Sequence, residues 1–446
     1  MAVIASDRRT LVVGLGRTGL SCVRYLTALG REVSVADSRA RPPGLDALQQ
    51  DYPDVELRTG DFDADWFCTF NELVVSPGIA IAEPAIAAAA EQGARIRGDI
   101  DLFAEAAEAP IIAITGSNGK TTVTTLVGKL AEACGVNAAI GGNIGTPALE
   151  LLGLKPDVYV LELSSFQLET THELNAEVAT VLNISDDHMD RYPSKMEYYQ
   201  AKQRIFRGAR NAVVNLDDAL STPMARDTLR FTCYGFHRVN PETFSTREDE
   251  HGLWITWGLD NLLNTGDLKL VGLHNVSNVM AALAIGQAAG WPLDTMAGAV
   301  CDFRGLPHRC ESIRRVHGVE YINDSKGTNV GASVAALDSL APACDRIVLI
   351  AGGEGKDADF GPLARPVSEH CRAVVLIGRD ADRIRASLGS DMSVVTAGSM
   401  EEAVALATDL AREGDRVLLS PACASFDMFT GYEDRGERFR QAVEGL

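Results

Sequence analysis

The sequence predicts an α/β protein of three domains, and three observations carry that prediction. Short β-rich apolar runs alternate with longer helical patterns along nearly the whole chain, which is the signature of βαβ units and parallel sheets. Glycine-rich turns follow two of those runs, at residues 14–19 and 116–119. The length of 446 residues exceeds one ordinary core, and a prior of about two to four domains follows. Domains are expected over residues 1–104, 105–305 and 306–446.

The first domain opens with a strand over residues 9–13, a glycine turn, and a helix to about residue 29. A second strand over 32–36 ends at Asp37, and residues 73–75 form a short buried strand running into Ser76-Pro77-Gly78. The alanine- and glutamate-rich stretch 99–110 reads as a helix and hinge. The second domain starts with a buried strand over 111–114 that enters Thr115-Gly116-Ser117-Asn118-Gly119-Lys120-Thr121-Thr122 and then a helix. Further strands fall at 157–161 and 178–182, and a helix at 198–206. Turns and alternating patterns over 231–270 predict antiparallel strands, and a helix follows over 275–289. The third domain begins near Gly305-Leu306-Pro307-His308-Arg309, with strands over 319–322, 346–350, 373–377 and 416–419 and helices between them.

The bulk numbers narrow the function classes. A net charge of −20 disfavours a polyanionic backbone, so no nucleic-acid partner is expected. Small anionic ligands remain open, because backbone N–H groups and a few Lys or Arg bind them locally. The nine cysteines (Cys22, Cys68, Cys134, Cys233, Cys301, Cys310, Cys344, Cys371 and Cys423) are scattered with no C-x-x-C pair. That spacing argues against a zinc site and a disulfide scaffold. Residues 1–10 have no signal-peptide core and no run reaches the ~18 apolar residues of a membrane span. A cytoplasmic protein without a membrane span is the expectation.

Gly14-Leu15-Gly16-Arg17-Thr18-Gly19 matches G-x-G-x-x-G between a strand and a helix, and Asp37 follows about 20 residues on. The chemistry is a tight turn that lets a pyrophosphate approach the N–H groups of a helix N-terminus. A nicotinamide dinucleotide, another nucleotide diphosphate and a merely packing turn all fit this pattern.

Residues 114–122 read I-T-G-S-N-G-K-T-T. The strict P-loop would place glycine where Ile114 stands, but the rest of the device is present. Backbone amides of Gly116, Ser117, Asn118 and Gly119 can cradle phosphates, and Thr122 belongs to the same ATP-binding loop. Lys120 can reach the β/γ-phosphates, and the Thr121 hydroxyl can ligate magnesium. Glu162 closes an apolar strand, where a carboxylate beside a phosphate loop can hold magnesium. Asn275 and Asn278 stand at i, i+3 on one predicted helix face.

Taken with Glu162-Leu163-Ser164-Ser165-Phe166-Gln167-Leu168 and Asn183-Ile184-Ser185-Asp186-Asp187-His188-Met189-Asp190, this loop resembles that of the Mur ligase family. Gly141-Gly142-Asn143-Ile144-Gly145, His274-Asn275-Val276-Ser277-Asn278, Gly305-Leu306-Pro307-His308-Arg309, Asn323-Asp324-Ser325-Lys326 and Leu419-Ser420-Pro421-Ala422-Cys423-Ala424-Ser425 follow in the same order, so the resemblance covers essentially the whole chain. The run from Ser420 to Asp427 is most similar to the family member that adds D-glutamate to UDP-N-acetylmuramoyl-L-alanine.

The resemblance implies a Rossmann-like N-terminal domain for the UDP-sugar, a central P-loop ATPase-type domain for ATP, and a Rossmann-like C-terminal domain for the amino acid. It implies an ATP-dependent ligase of cytoplasmic peptidoglycan precursor synthesis, working through an acyl phosphate and expected as a monomer. Gly16, Arg17, Thr18, Asp37, Ser38, Arg39, Ser76, Gly78 and Asn143 match UDP-sugar positions, with Pro77 beside them. Asn275, Asn278, Arg309 and Asp324 join the phosphate loop as ATP contacts. Lys326, Thr328, Lys356, Ser425, Phe426 and Tyr432 match the D-glutamate site. Tyr432 stands where the family often has Phe, and Gly327 where it often has Ala. Two Mg²⁺ ions are implied, with Mn²⁺ as a possible substitute, held by Thr121, Glu162, His188 and Lys202. Read by itself, Lys202 is a solvated helical lysine; the resemblance makes it a residue carbamylated by CO₂. Lys120, His188 and Lys202 form the implied catalytic set.

Overall fold

The computed structural model describes residues 9–185, 187–188, 191–224, 229–238, 240–270 and 272–446. Asp186, Met189 and Asp190 of the predicted motif, and residues 1–8 of the N-terminal segment, lie outside the described residues.

Three sheets organise the chain. The first is built from β1 (Thr10–Val13), β2 (Val33–Asp37), β3 (Glu56–Thr59), β4 (Glu72–Val75) and β5 (Arg95–Arg97), all parallel, in the order β3-β2-β1-β4-β5. The central β1, β2 and β4 are buried along their whole length, as parallel strands covered on both faces must be. One face packs Leu11, Val13, Leu73 and Val75 against Trp66, Phe67 and Phe70. The predicted helix after the glycine turn is Arg17–Ala28, and the 99–110 stretch supplies the helix Asp99–Ala106.

The second sheet runs through β6 (Ile111–Thr115), β7 (Ala138–Gly142), β8 (Val158–Glu162), β9 (Val178–Val181), β10 (Asn211–Asn215) and β11 (Arg230–Tyr234). These six lie parallel in the order β11-β10-β9-β6-β8-β7. The prediction of antiparallel strands over 231–270 holds only in part. The start of β12 (Thr243–Asp249) pairs parallel to β11 through Cys233–Thr243 and Tyr234–Phe244. Only β13 (Gly252–Trp257) and β14 (Asp260–Asn264) form an antiparallel hairpin there among the described pairs. A turn-rich connection looks alike for both pairings, because register is fixed by the partner strand and not by the loop.

The third sheet takes β15 (Glu311–Val316), β16 (Val319–Asn323), β17 (Ile347–Gly352), β18 (Cys371–Ile377), β19 (Val394–Thr396) and β20 (Arg416–Leu419), in the order β15-β16-β20-β17-β18-β19. Only β15 is antiparallel to its neighbour. Alternate residues enter opposite cores: Leu349, Val374 and Leu418 one, Val348, Val375 and Val417 the other.

By packing, the chain divides into two compact units. The first takes Met1–Asn183, Met196–Phe244 and Ala281–Ala297; the second takes Ile184–Lys195, Ser245–Met280 and Gly298–Leu446. Among the described residues no helix is long and apolar enough to cross a membrane.

Candidate active site

The first glycine turn lies at the carboxyl end of β1, where open parallel sheets bind ligands. Gly19 approaches Gly14 so closely that a Cβ there would stand 1.8 Å from the Gly14 carbonyl oxygen. Gly16 begins the helix in extended conformation, and among the described residues no side chain caps that helix. Its first N–H groups are therefore available to an anion.

The cavity at this turn measures about 420 Å³, and another of about 430 Å³ lies in the second unit. Gly16, Arg17, Thr18, Ser38, Arg39, Ser76, Pro77, Gly78 and Asn143 all line the former. Asp37 stands behind that wall, fully buried. Its carboxylate accepts the Leu15 N–H at 2.7 Å, the Arg39 N–H at 2.9 Å and two guanidinium bonds from Arg39 at 2.8 and 2.6 Å. Burial alone would raise the carboxyl, but these donors outweigh it and hold it below its ordinary value. Arg17 donates to the Gly145 carbonyl at 2.9 Å.

Sequence reasoning gave no role to Gln167, which also lines the cavity. Its Nε2 donates to the buried Asp99 at 3.1 Å, while its Oε1 accepts the Ser164 N–H at 3.1 Å in a capping box. Burial pushes the Asp99 carboxyl up to about 6. The capping box was readable as Ser164-x-x-Gln167; the link to Asp99 was not.

The phosphate loop leaves β6 between two neighbouring strand ends. Leu163 N–H donates to Ile114 O and Ser117 N–H to Asn183 O, both at 2.9 Å. Gly119 begins the helix Lys120–Ala133 at φ +81, a conformation that favours glycine. Lys120 Nζ folds back onto the carbonyls of Gly116 at 2.8 Å and Ser117 at 2.9 Å.

Lys202 is not solvated: it is 1% exposed. The helix Lys195–Gln203 buries its Tyr198, Ala201 and Lys202 face. Lys202 Nζ donates to Gly116 O at 2.9 Å and to Thr115 Oγ1 at 3.3 Å. Two lysines thus share one carbonyl of the loop. Tyr198 OH lies 2.9 Å from Ser117 Oγ, and Asn183 holds the Asn118 peptide from both sides, at 2.8 and 3.1 Å. Neither Tyr198 nor Asn183 had been given a role from sequence.

Glu162 ends β8 opposite Ile114. Its Oε1 accepts Asn143 Nδ2 at 2.8 Å, and its buried Oε2 has no hydrogen-bond partner among the described residues. An anionic oxygen so placed fits a hard divalent cation, as does the Thr121 hydroxyl in the first turn of the loop helix.

The second unit holds the remaining residues. His188 adopts φ +57, and its N–H bonds the Asp187 carboxylate at 3.0 Å. Asn329 Nδ2 donates to the same carboxylate at 3.1 Å. Asn275 lies inside the first turn of the helix Leu273–Ala288, not at its cap, and its Oδ1 accepts Asn278 Nδ2 at 3.1 Å. Asn275 and Arg309 line the cavity of about 430 Å³, together with Lys269, Arg304 and Cys310. Asp324, behind them, accepts the Cys310 N–H at 3.2 Å and the Ser420 hydroxyl at 2.8 Å. Burial pushes its carboxyl up to about 6, with Ser420 and the Arg309 charge opposing.

Lys326 Nζ stands 3.6 Å above the Tyr432 ring, a cation–π contact that a Phe would also offer. Thr328 N–H bonds Lys326 O at 2.8 Å. Ser425 is buried and Phe426 is 70% exposed. Lys356 sits at φ +49 after a turn whose Glu354 pairs with Ala424.

Three family models match in succession: the N-terminal domain of MurD-like Mur ligases over residues 8–98, the Mur ligase middle domain over 114–286, and the Mur ligase glutamate ligase domain over 308–423. A Marinobacter nauticus protein named UDP-N-acetylmuramoylalanine--D-glutamate ligase is 69% identical over 446 residues, covering 100% of both chains. A Pseudomonas aeruginosa protein of the same name is 53% identical over 447 residues, again covering 100% of both. Among solved structures, a pseudomurein peptide ligase type C from Methanothermus fervidus shares the fold at TM-score 0.62 and 19% identity, covering 98% of this chain and 100% of that one. The Thermotoga maritima UDP-N-acetylmuramate-alanine ligase does so at TM-score 0.59 and 17% identity, covering 98% and 99%. The chain belongs to the Mur ligase family.

Proposed function

We infer that this protein is an ATP-dependent ligase that adds D-glutamate to UDP-N-acetylmuramoyl-L-alanine, forming an amide bond in cytoplasmic peptidoglycan precursor synthesis. The observation that carries this reading is end-to-end identity of 69% to a relative bearing that activity in its name. We assign the UDP-sugar to residues 1–104, ATP to 105–305 and the amino acid to 306–446.

The substrate carboxylate is a poor electrophile, so it must first attack the γ-phosphorus of ATP. ADP leaves, and an acyl phosphate remains. The D-glutamate amine then attacks the acyl carbon and inorganic phosphate departs, its oxygen taken from the former carboxylate. The first step brings two anions together, and positioning and positive charge are what the protein can supply. Lys120 and the amides of residues 116–119 are suited to grip the triphosphate. Gly16, Arg17, Thr18, Ser38, Arg39, Ser76 and Gly78 are suited to the uridine diphosphate, and Asn143 to the muramoyl part. Asn275, Asn278, Arg309 and Asp324 are assigned to ATP. Lys326, Thr328, Lys356, Ser425, Phe426 and Tyr432 are assigned to D-glutamate, whose two carboxylates call for cations and donors.

Magnesium would neutralise charge on the phosphates and the acceptor carboxylate. Thr121 and Glu162 are proposed toward one ion, His188 and a carbamate on Lys202 each toward a second. Carbamylation joins the neutral Nζ to the carbon of CO₂ with loss of a proton, turning a cation into an anion. Burial of Lys202 beside the loop supports this assignment, because a solvated lysine would have no reason to pack there. A ¹³C carbamate signal from labelled bicarbonate, absent in Lys202→Ala, tests it.

Phosphate release from ATP tests the function. Release that requires both UDP-N-acetylmuramoyl-L-alanine and D-glutamate, and not L-glutamate, is the expected result. Release with another amino acid would move the assignment to a sibling ligase.

A further inference from the structure

The residues assigned to the amino acid stand on separate segments of the second unit, and one side chain joins those segments. Arg435 lies in the first turns of the helix Tyr432–Glu444 and is 0% exposed. Its Nε donates to Ser325 Oγ at 3.0 Å and its Nη2 to Ser325 O at 2.8 Å. Its Nη1 donates to Cys423 O at 3.1 Å and Ala424 O at 3.3 Å. Ser325 Oγ in turn donates a hydrogen bond to Tyr432 O at 2.8 Å. Ala424 in turn pairs with Glu354, N–H to O in both directions, at 2.9 and 3.0 Å.

Every assigned residue is therefore a short step along the chain from this network. Lys326 and Thr328 follow Ser325, and Ser425 and Phe426 follow Ala424. Tyr432 is itself a member, and Lys356 is two residues beyond Glu354. Burying a full charge is costly even after relaxation. Here the acceptors that offset it are one hydroxyl and three carbonyl oxygens, which a neutral amide could also satisfy in part. A planar fork does what an amide cannot: it fixes two loops at a set separation and angle. Burial pushes the guanidinium down to about 10, so it stays charged at neutral pH. The charge then lies beneath segments assigned to a substrate with two carboxylates.

We propose that Arg435 is a positioning residue for the incoming amino acid, setting the spacing between residues 326–328 and residues 425–426 through its fork to Ser325, Cys423 and Ala424. This rests on the reading of those residues as the amino-acid site.

The test compares the full-length wild type with Arg435→Lys and Ser325→Ala. It measures kcat, KM for each of the three substrates, and thermal melting. Arg435→Lys keeps the charge and loses the fork. It is expected to raise KM for D-glutamate about tenfold, while KM for ATP and for the UDP-sugar stays within about twofold. Ser325→Ala removes one acceptor and is expected to raise the same KM by about threefold. An unchanged KM for D-glutamate in either folded variant would overturn the proposal. So would an equal rise for all three substrates, which is what general loosening gives. If Arg435→Lys does not fold, Ser325→Ala decides alone. A wild type that uses a different amino acid would overturn only the D-glutamate assignment, and the same split is then read with that amino acid.

Discussion

The molecule uses one device twice in its first unit, a strand, a glycine turn and a helix N-terminus, and the two copies differ in charge. At the first turn Arg39 is bound to Asp37 and Arg17 to a backbone carbonyl. At the second, Lys120 and Lys202 converge on the Gly116 carbonyl. The first suits a diphosphate that is held and left intact. The second suits a phosphate whose charge rearranges during reaction, where the fixed cation of Lys120 and a metal held by a carbamate on Lys202 would be worth most. The difference teaches that the turn itself only announces phosphate. What surrounds it separates a handle from a reaction centre.

The largest effects are expected at the second turn. Lys120→Ala and Lys202→Ala should each lower kcat on the order of 10³-fold, read as phosphate release at saturating substrates. Added bicarbonate should not restore Lys202→Ala, because its side chain has no amine to carbamylate. Full activity of Lys202→Ala would erase the contrast drawn between the turns.

Lys202 also marks the limit of what the sequence discloses. The phosphate loop, Glu162 at its strand end and the first cavity were legible, because each rests on local pattern. Lys202 lies on a helix whose composition suggests a wet face. Its burial is decided by β6 and the loop, 87 residues earlier in the chain at Thr115. Asp37 shows the same limit: its carboxylate is bound to Leu15 and Arg39, contacts that the fingerprint does not contain. Gln167 was quoted for its motif, yet its amide is aimed by Asp99, 68 residues away. Long-range partners are what a spacing rule does not contain.

Glu162→Gln sharpens the comparison at intermediate size. The Asn143 bond can survive in the amide, while the anionic oxygen with no hydrogen-bond partner among the described residues becomes neutral. A loss of about 10- to 100-fold in kcat is expected, with a higher magnesium concentration needed for half-maximal rate. A magnesium dependence equal to wild type would remove Glu162 from the metal set.

At the first turn the expected effects fall on affinity. Arg39→Ala should raise KM for the UDP-sugar by about tenfold with kcat little changed. Gly19→Ala drives a Cβ into the Gly14 carbonyl and should cost about 1–3 kcal/mol of stability as well, seen as a lower melting temperature. A fall in kcat as large as that of Lys120→Ala would mean that the first turn is no mere handle.

The smallest effect concerns Asp99, which aims Gln167 at the first cavity. Its carboxyl is raised to about 6 by burial, above the ordinary 3.8 that the unfolded chain retains. Below the unfolded value both states hold the proton, and the native state suffers no penalty. Between the two values the unfolded chain ionises first, so stability falls as pH rises, and the loss is complete above about 6. The loss amounts to about 3 kcal/mol at most. Asp99→Asn can still accept the Gln167 bond and cannot ionise. Its melting temperature relative to wild type should therefore climb as pH goes from about 4 to about 7. Asp37, held below its ordinary value by Arg39, has the opposite sign: its contribution is present above the unfolded value and fades as pH falls. Relative to wild type, the Asp99→Asn melting curve should rise between about pH 4 and 7, whereas the Asp37→Asn curve should run level there and approach wild type only as pH falls below the ordinary carboxyl value. An Asp99→Asn curve parallel to wild type would show that Asp99 ionises in the folded protein as it does in the unfolded chain, leaving Gln167 aimed by a charged acceptor.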